Sequence, residues 1–186
     1  MNKIRVLPDK VATQIAAGEI IDRPASVVRE LIDNSIDAGA DRITVRIEGG
    51  GKKLIKVIDN GEGMSRDDLL LCVERHATSK VREASDLLQV TSLGFRGEAI
   101  PSMASVSRMT ILTVPRDHLT GNKLRISGGK LLSIEEAGGP SGTITEIQDL
   151  FFNVPGRRKF LRSQQTEKNH IADLLLRTSL PFPQIP

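Results

Sequence analysis

Apolar residues recur along this chain with two periods, and the switch between them divides it into helices and strands. Between Pro24 and Gly39 the period is helical. Val27, Val28, Leu31, Ile32, Ser35, Ile36 and Ala38 cover about half the circumference at roughly 100° per residue. Proline suits a first helical position and glycine the residue just past the end, so a helix is predicted over 24–38. Another is predicted over 8–17. Alternation then takes over, with Ile43/Val45/Ile47 and Leu54/Lys56/Ile58 predicting strands over 42–48 and 53–58. Gly49-Gly-Gly-Lys-Lys53 between them reads as a hairpin turn, because the lysine followed by Ser or Thr of a phosphate-binding loop is missing. A helix near 66–75 has Ser65 and Asp68 placed as a capping pair, with Cys72 among Leu69, Leu70 and Val73 as a core residue. A helix near 97–104 and strands near 106–114, 123–128, 131–136 and 143–148 come next. A last helix over about 164–179 would turn Ile171, Leu174, Leu175 and Thr178 inward. This order fits an α+β fold, a two-layer α/β sandwich with helices on one face of a mixed, largely antiparallel sheet.

Composition narrows the class. The 186 residues suffice for one domain with a proper core, read as a single unit over 1–186. One cysteine excludes an internal disulfide framework. The opening Met1-Asn-Lys-Ile-Arg-Val6 lacks the apolar stretch of a signal peptide, and no run is long enough to span a bilayer. A cytoplasmic protein is expected. His76, His118 and His170 show no metal-ligand spacing, so a zinc site is not expected. With no Trp or Tyr and only five Phe, aromatic platforms for single-stranded nucleic acid are not expected either. The net charge of +3 is too small to argue for nucleic-acid binding. Arg157, Arg158, Lys159 and Arg162 do cluster, either as phosphate contacts or as a solvated helix start.

Three segments carry candidate chemistry. Glu30 and Asn34 lie one helical turn apart at the edge of the apolar stripe, where a carboxylate and a carboxamide can activate a water and hold a cation. The alternative is a solvated helix face. Asp59-Asn-Gly-Glu-Gly-Met64 follows a strand, and an aspartate there can accept a hydrogen bond from an exocyclic amine. Gly61 and Gly63 would let the backbone bend close to a flat ligand, where a plain tight turn is the alternative. Leu93-Gly-Phe-Arg-Gly-Glu-Ala-Ile100 leads into a helix, so its amides either seat a phosphate or simply cap that helix.

These segments, in this order, resemble the GHKL ATPases, the group of type II topoisomerases, a large heat-shock chaperone and histidine kinases. The similarity is greatest to its DNA mismatch-repair branch. It is carried by Gln14-Ile-Ala-Ala-Gly-Glu19, Arg23-Pro-Ala-Ser-Val-Val28, Asn34-Ser-Ile-Asp-Ala-Gly-Ala40, Arg75-His-Ala-Thr-Ser-Lys80, Leu93 to Ala99 and Asp149-Leu-Phe-Phe-Asn-Val-Pro155 with Arg158 to Leu161. The resemblance implies a Bergerat-type ATP-binding fold. Glu30 would be the general base, Asn34 the Mg²⁺ ligand, and Asp59 the acceptor for adenine, supported by Gly63, Met64 and Thr143. The stretch from Arg75 to Gly97 would be an ATP lid. Within it Ala77, Thr78, Ser79 and Lys80 would meet phosphate or ribose, and Leu93, Gly94, Phe95, Arg96 and Gly97 would face the phosphates with main-chain amides.

The implied activity is slow Mg²⁺-dependent ATP hydrolysis. ATP would order the lid and an N-terminal arm (residues 1–20) and pair two protomers. The implied partners are a MutS-like mismatch-recognition protein, a second protomer, and DNA through the full-length protein. No membrane is involved, and the setting is the bacterial cytoplasm and nucleoid. The alternative is a repair scaffold that binds DNA or partners with little use of catalysis. The family continues past a point equivalent to Pro186 into a second domain, which supplies a lysine for the γ-phosphate, and into a dimerising C-terminal region. A fragment, weakly active by itself, is therefore expected. Three departures from the family pattern are Asp33 for glutamate, Phe152 for tyrosine and Gly156 for alanine.

Overall fold

A computed structural model of the chain describes residues 17–74 and 97–185. Its strands are β1 (Ile43–Glu48), β2 (Leu54–Asp59), β3 (Arg108–Val114), β4 (Gly121–Ser127), β5 (Lys130–Ala137) and β6 (Gly142–Gln148). Its helices are α1 (Pro24–Asp37), α2 (Arg66–Leu71), α3 (Ala99–Val106), α4 (Pro155–Phe160) and α5 (Gln164–Ser179). Residues 17–20 are helical too. The remainder of the helix predicted over 8–17 lies outside the described residues.

The strands form one sheet in the order β1-β2-β6-β3-β4-β5, and every pairing among the described residues is antiparallel. The last strand in the chain is thus central, and the sheet closes only when β6 inserts between β2 and β3. Register then stacks inward-facing residues into rows. One row is Val57, Thr145, Ile111 and Leu124; the next is Ile55, Ile147, Met109 and Ile126. All eight are buried. The opposite face is mixed, with Leu112 and Ile144 beside charged residues, of which Lys56 and Glu146 pair across β2 and β6 at 2.7 Å.

Helices cover the apolar face. α1 buries Val27, Val28, Leu31 and Ile32, each worth roughly 1.5–3 kcal/mol against exposure. Pro24 opens it as predicted. Its end is a double hydrogen-bonded stop, Gly39 N–H to Ile36 O at 2.9 Å and Ala40 N–H to Ser35 O at 3.1 Å. Gly39, at φ 67°, makes that reversal without the steric cost other residues incur. α5 turns Glu167 and Ile171 fully inward, with Leu174 and Leu175 packed behind them. The three glycines after β1 form a 3-10 turn wedged between α1 and α5. A Cβ on Gly51, at φ 83°, would sit 2.7 Å from Pro24 Cβ.

Two elements differ from the pattern-based expectation. α2 stops at Leu71, because Glu74 N–H turns back to Leu71 O at 3.0 Å and tightens the chain into a turn. α4 was legible only as a possible helix start, since it buries no residue and so carries no apolar stripe. The Ser65–Asp68 cap forms as expected, with Asp68 N–H donating to Ser65 Oγ at 3.1 Å.

Cys72 closes α2, its thiol donating to Leu69 O at 3.2 Å. Burial, followed by the neighbouring Asp68 carboxylate, pushes that thiol up to about 12. The thiolate is the reactive form, so native Cys72 should alkylate with iodoacetamide at pH 8 far more slowly than the urea-unfolded chain. The raised folded value also means that this group's stabilisation is complete below about pH 9 and is lost as pH rises toward 12. Equal alkylation rates in the two states would contradict the burial.

Candidate functional site

The inner face of the sheet does not stay apolar to its end. One row beyond Val57 and Thr145, the register brings Asp59, Thr143 and Thr113 side by side on β2, β6 and β3. Asp59 ends β2. Its Oδ1 accepts from Gly61 N–H at 3.0 Å and from Thr143 N–H at 3.1 Å. The Ser35 hydroxyl of α1 lies 2.9 Å from both Asp59 Oδ2 and Leu31 O, one proton between two acceptors. An ionised carboxylate offers about four acceptor positions. Three are directed at protein groups, which leaves one on Oδ2 for an N–H donor from a ligand.

Thr113, 0% exposed, lies under this row. Its Oγ1 accepts from Met64 N–H at 2.9 Å and sits 3.0 Å from Thr143 Oγ1 and 3.3 Å from Gly142 O. The segment Asp59–Met64 is therefore not a plain hairpin turn. Glu62 N–H reaches Ala38 O at 2.9 Å, and Arg116 N–H reaches Glu62 O at 3.0 Å. Asn60 Oδ1 accepts from the amides of Asp41 and Arg42 at 3.1 and 2.9 Å. The loop is thus sewn to the end of α1, the start of β1 and the end of β3.

Gly63 has a reason within the fold besides the close ligand approach expected from the sequence. At φ 71° a Cβ there would run into the carbonyl of Val114. The chain's own packing demands this glycine, whatever binds nearby.

Glu30 and Asn34 are half-buried on α1, one turn apart as the spacing predicted. Ser35 anchors the Asp59 end of the site, and Glu30 lies five residues earlier, roughly 7.5 Å up the helix axis at 1.5 Å per residue. A single rigid element therefore carries both the anchor of Asp59 and a carboxylate–carboxamide pair. Asp33 pairs with Arg29 at 3.8 Å, but Arg29 is 68% exposed, so this bond contributes little. Gly97, at φ 60°, lies two residues ahead of α3. Ala77, Thr78, Ser79, Lys80, Leu93, Gly94, Phe95 and Arg96 lie outside the described residues.

Two residues of the site were not singled out from the sequence. Ser35 was placed in the buried stripe, correctly, but its role is to hold Asp59. Thr113 was one polar residue in an alternating strand. In each case the available signal was a hydroxyl at a position the pattern turned toward the core.

The basic cluster divides. Arg158, Lys159 and Arg162 are exposed, whereas Arg157 is turned inward, its guanidinium 5.9 Å from the centre of the Phe151 ring and packed against Gly18. Phe152, the position without the family hydroxyl, lies 4.6 Å beneath the Arg108 guanidinium. A cleft of about 500 Å³ between α1 and α5 is lined by Arg29, Asp33, His170, Asp173 and Arg177 among others. None of the polar-row residues lines it. Arg29 and Asp33 lie well over 100° around α1 from Ser35.

A helix-covered antiparallel sheet with an acid at its junction with α1 defines a GHKL-type ATPase architecture, and comparison with known proteins agrees. Residues 22–135 match the family described as histidine kinase-, DNA gyrase B-, and HSP90-like ATPase. The DNA mismatch repair protein MutL of Acidobacterium capsulatum is 56% identical over 183 residues, 98% of this chain and 28% of that protein. MutL of Koribacter versatilis is 56% identical over 185 residues, 100% of this chain and 29% of that protein. The structure of the Aquifex aeolicus MutL ATPase domain complexed with ADP superposes with a TM-score of 0.70 at 32% identity, covering 89% of this chain and 58% of that one. The N-terminal domain of a DNA repair protein superposes with a TM-score of 0.74 at 29% identity, covering 94% and 50%. The chain belongs to this ATPase family and, within it, to the MutL proteins of DNA mismatch repair. It spans under a third of the length of the full relatives named here.

The close packing at Gly63 can be tested directly. Gly63→Ala should destabilise the chain by about 2 kcal/mol or more, through positive φ and the clash with Val114. Urea unfolding reads this as a lowered midpoint, and an unchanged midpoint would mean that the β3 end yields freely.

Proposed function

We propose that this chain binds ATP with its adenine amine on Asp59 and hydrolyses it slowly, as the nucleotide switch of a mismatch-repair protein. The observation that carries the reading is the Asp59 carboxylate, fixed by Ser35, Gly61 and Thr143 with one acceptor position left toward a ligand. An exocyclic amine supplies the matching donor. The relative from Aquifex aeolicus complexed with ADP supports the same choice of ligand.

Catalysis would fall to the middle of the same helix, at Glu30. Glu30 is suited to orient a water and take its proton as the water oxygen attacks the γ-phosphorus, with ADP leaving as the bridging bond breaks. The Asn34 amide oxygen is a hard, neutral ligand of the kind Mg²⁺ accepts alongside phosphate oxygens and water. When bound, the ion supplies charge neutralisation on the phosphates. Gly97, with the sequence-assigned Gly94 and its neighbours Leu93, Phe95 and Arg96, would offer main-chain amides to them. Ala77, Thr78, Ser79 and Lys80 complete the lid on the sequence evidence alone.

The switch reading follows from energetics. ATP can close a lid and pair two protomers only by binding the closed state more tightly than the open one. Ala17 near the end of the N-terminal arm and Ile21 just after it, both fully buried, tie this segment into the core, so ordering of the arm would be felt by α1. A MutS-like mismatch-recognition protein and DNA are the proposed partners of the whole protein.

Isothermal titration with a non-hydrolysable ATP analogue and Mg²⁺ tests this. Asp59→Asn, which offers an amide where a carboxylate accepted, should weaken binding by roughly tenfold to a hundredfold. Binding that ignores the substitution would remove adenine from Asp59. Glu30→Ala should leave binding nearly intact and lower turnover by about a hundredfold or more. Undiminished turnover would take the general-base role away from Glu30.

A further inference from the structure

We infer that Thr113, buried beyond reach of any ligand, sets the proton direction of the Thr143 hydroxyl and so helps select a purine bearing an amine beside an unprotonated ring nitrogen. The inference rests on the adenine reading of Asp59 above and adds a specificity residue to it.

The argument is one of hydroxyl bookkeeping. Thr113 Oγ1 has one proton and two lone pairs. One lone pair accepts Met64 N–H at 2.9 Å. The proton then has two acceptors in reach, Thr143 Oγ1 at 3.0 Å and the Gly142 carbonyl at 3.3 Å. The shorter contact is the better hydrogen bond, which puts the Thr113 proton on Thr143 Oγ1. Thr143 is then already supplied with a donor, and its own proton is directed away from Thr113 into the pocket. The reverse arrangement would stretch the Thr113 bond to the carbonyl and turn only lone pairs of Thr143 toward a ligand.

Asp59 and Thr143 are cross-strand partners, and Thr143 N–H also holds Asp59 Oδ1. The pocket edge therefore presents an acceptor from Asp59 beside a donor from Thr143. Adenine offers the complement, an amine donor beside a ring-nitrogen acceptor, reached directly or through one water. Guanine offers the inverse at the same edge, a carbonyl beside a ring N–H, and mismatches at both positions. Asp59 alone would reject the carbonyl; Thr113 adds rejection of the ring N–H.

The test compares ADP with 1-deaza-ADP, in which that ring nitrogen is a C–H, by calorimetry on the wild-type chain and its variants. Wild type should prefer ADP by about tenfold, the worth of one buried hydrogen bond. Thr113→Val, nearly isosteric but without a hydroxyl, should shrink that preference at least about threefold, and Thr113→Ser should retain it. A merely structural role at Met64 N–H would weaken both ligands alike and leave the ratio unmoved, which would overturn the inference. If Thr113→Val fails to fold, Thr113→Cys, similar in size with a weak donor, makes the same measurement. A wild-type ratio near one, with ADP binding still weakened in Asp59→Asn, would sink the Thr113 inference and leave the function standing. No ADP binding at all would sink both.

Discussion

The Asp59 carboxylate is the one side chain that bonds three separate elements at this end of the sheet among the hydrogen bonds described above. Ser35 brings in α1, Gly61 the loop after β2, and the Thr143 amide brings in β6. Withdrawing a carboxylate from water is costly unless its oxygens are satisfied, and each hydrogen bond to a charged group returns roughly 1.5–3 kcal/mol. The arrangement is therefore demanding: a small shift of α1 relative to β2 would break it. That demand keeps the remaining acceptor position aimed in one direction before any ligand arrives, which is what preorganised recognition requires.

The site begins where the apolar rows end. Ile55 and Val57 and their partners fasten α1 and α3 to the sheet, and two residues further along the same strands the side chains become Asp59, Thr143 and Thr113. Strand alternation keeps all of them on the helix-facing side, so the polar row inherits the rigidity of the core beside it. Membership of the ATPase family is what makes this row a candidate for nucleotide recognition. α1 sets the distance between Ser35, which bonds Asp59, and Glu30, about a turn and a half away.

Much of this was legible in the residues themselves. The stripe of α1 with Pro24 and Gly39 at its ends, the alternation of the strands and the Ser65 cap are local codes, each written within one or two turns of chain, and their elements form where the pattern places them. Glu30 and Asn34 share a face for the same reason, because helical spacing alone makes them neighbours. The polarity of Asp59 at a strand end was equally visible. α4 was not, because an element that buries nothing leaves no periodic trace.

What only the tertiary structure decided is which distant residues meet. Asp59 and Thr143 are 84 positions apart, and Thr113 and Thr143 are 30 apart. Their contact depends on β6 inserting between β2 and β3 in one register, and a slip by one residue would turn Thr143 to the opposite face. The Thr113–Thr143 contact, the second role of Ser35 and the inward turn of Arg157 are consequences of that assembly. The sequence determined the elements and the shared face of Glu30 and Asn34 on α1, because local backbone periodicity is encoded locally. The polar row around Asp59 arises only where three strands and a helix converge, because hydrogen-bond partners so far apart in the chain are chosen by packing.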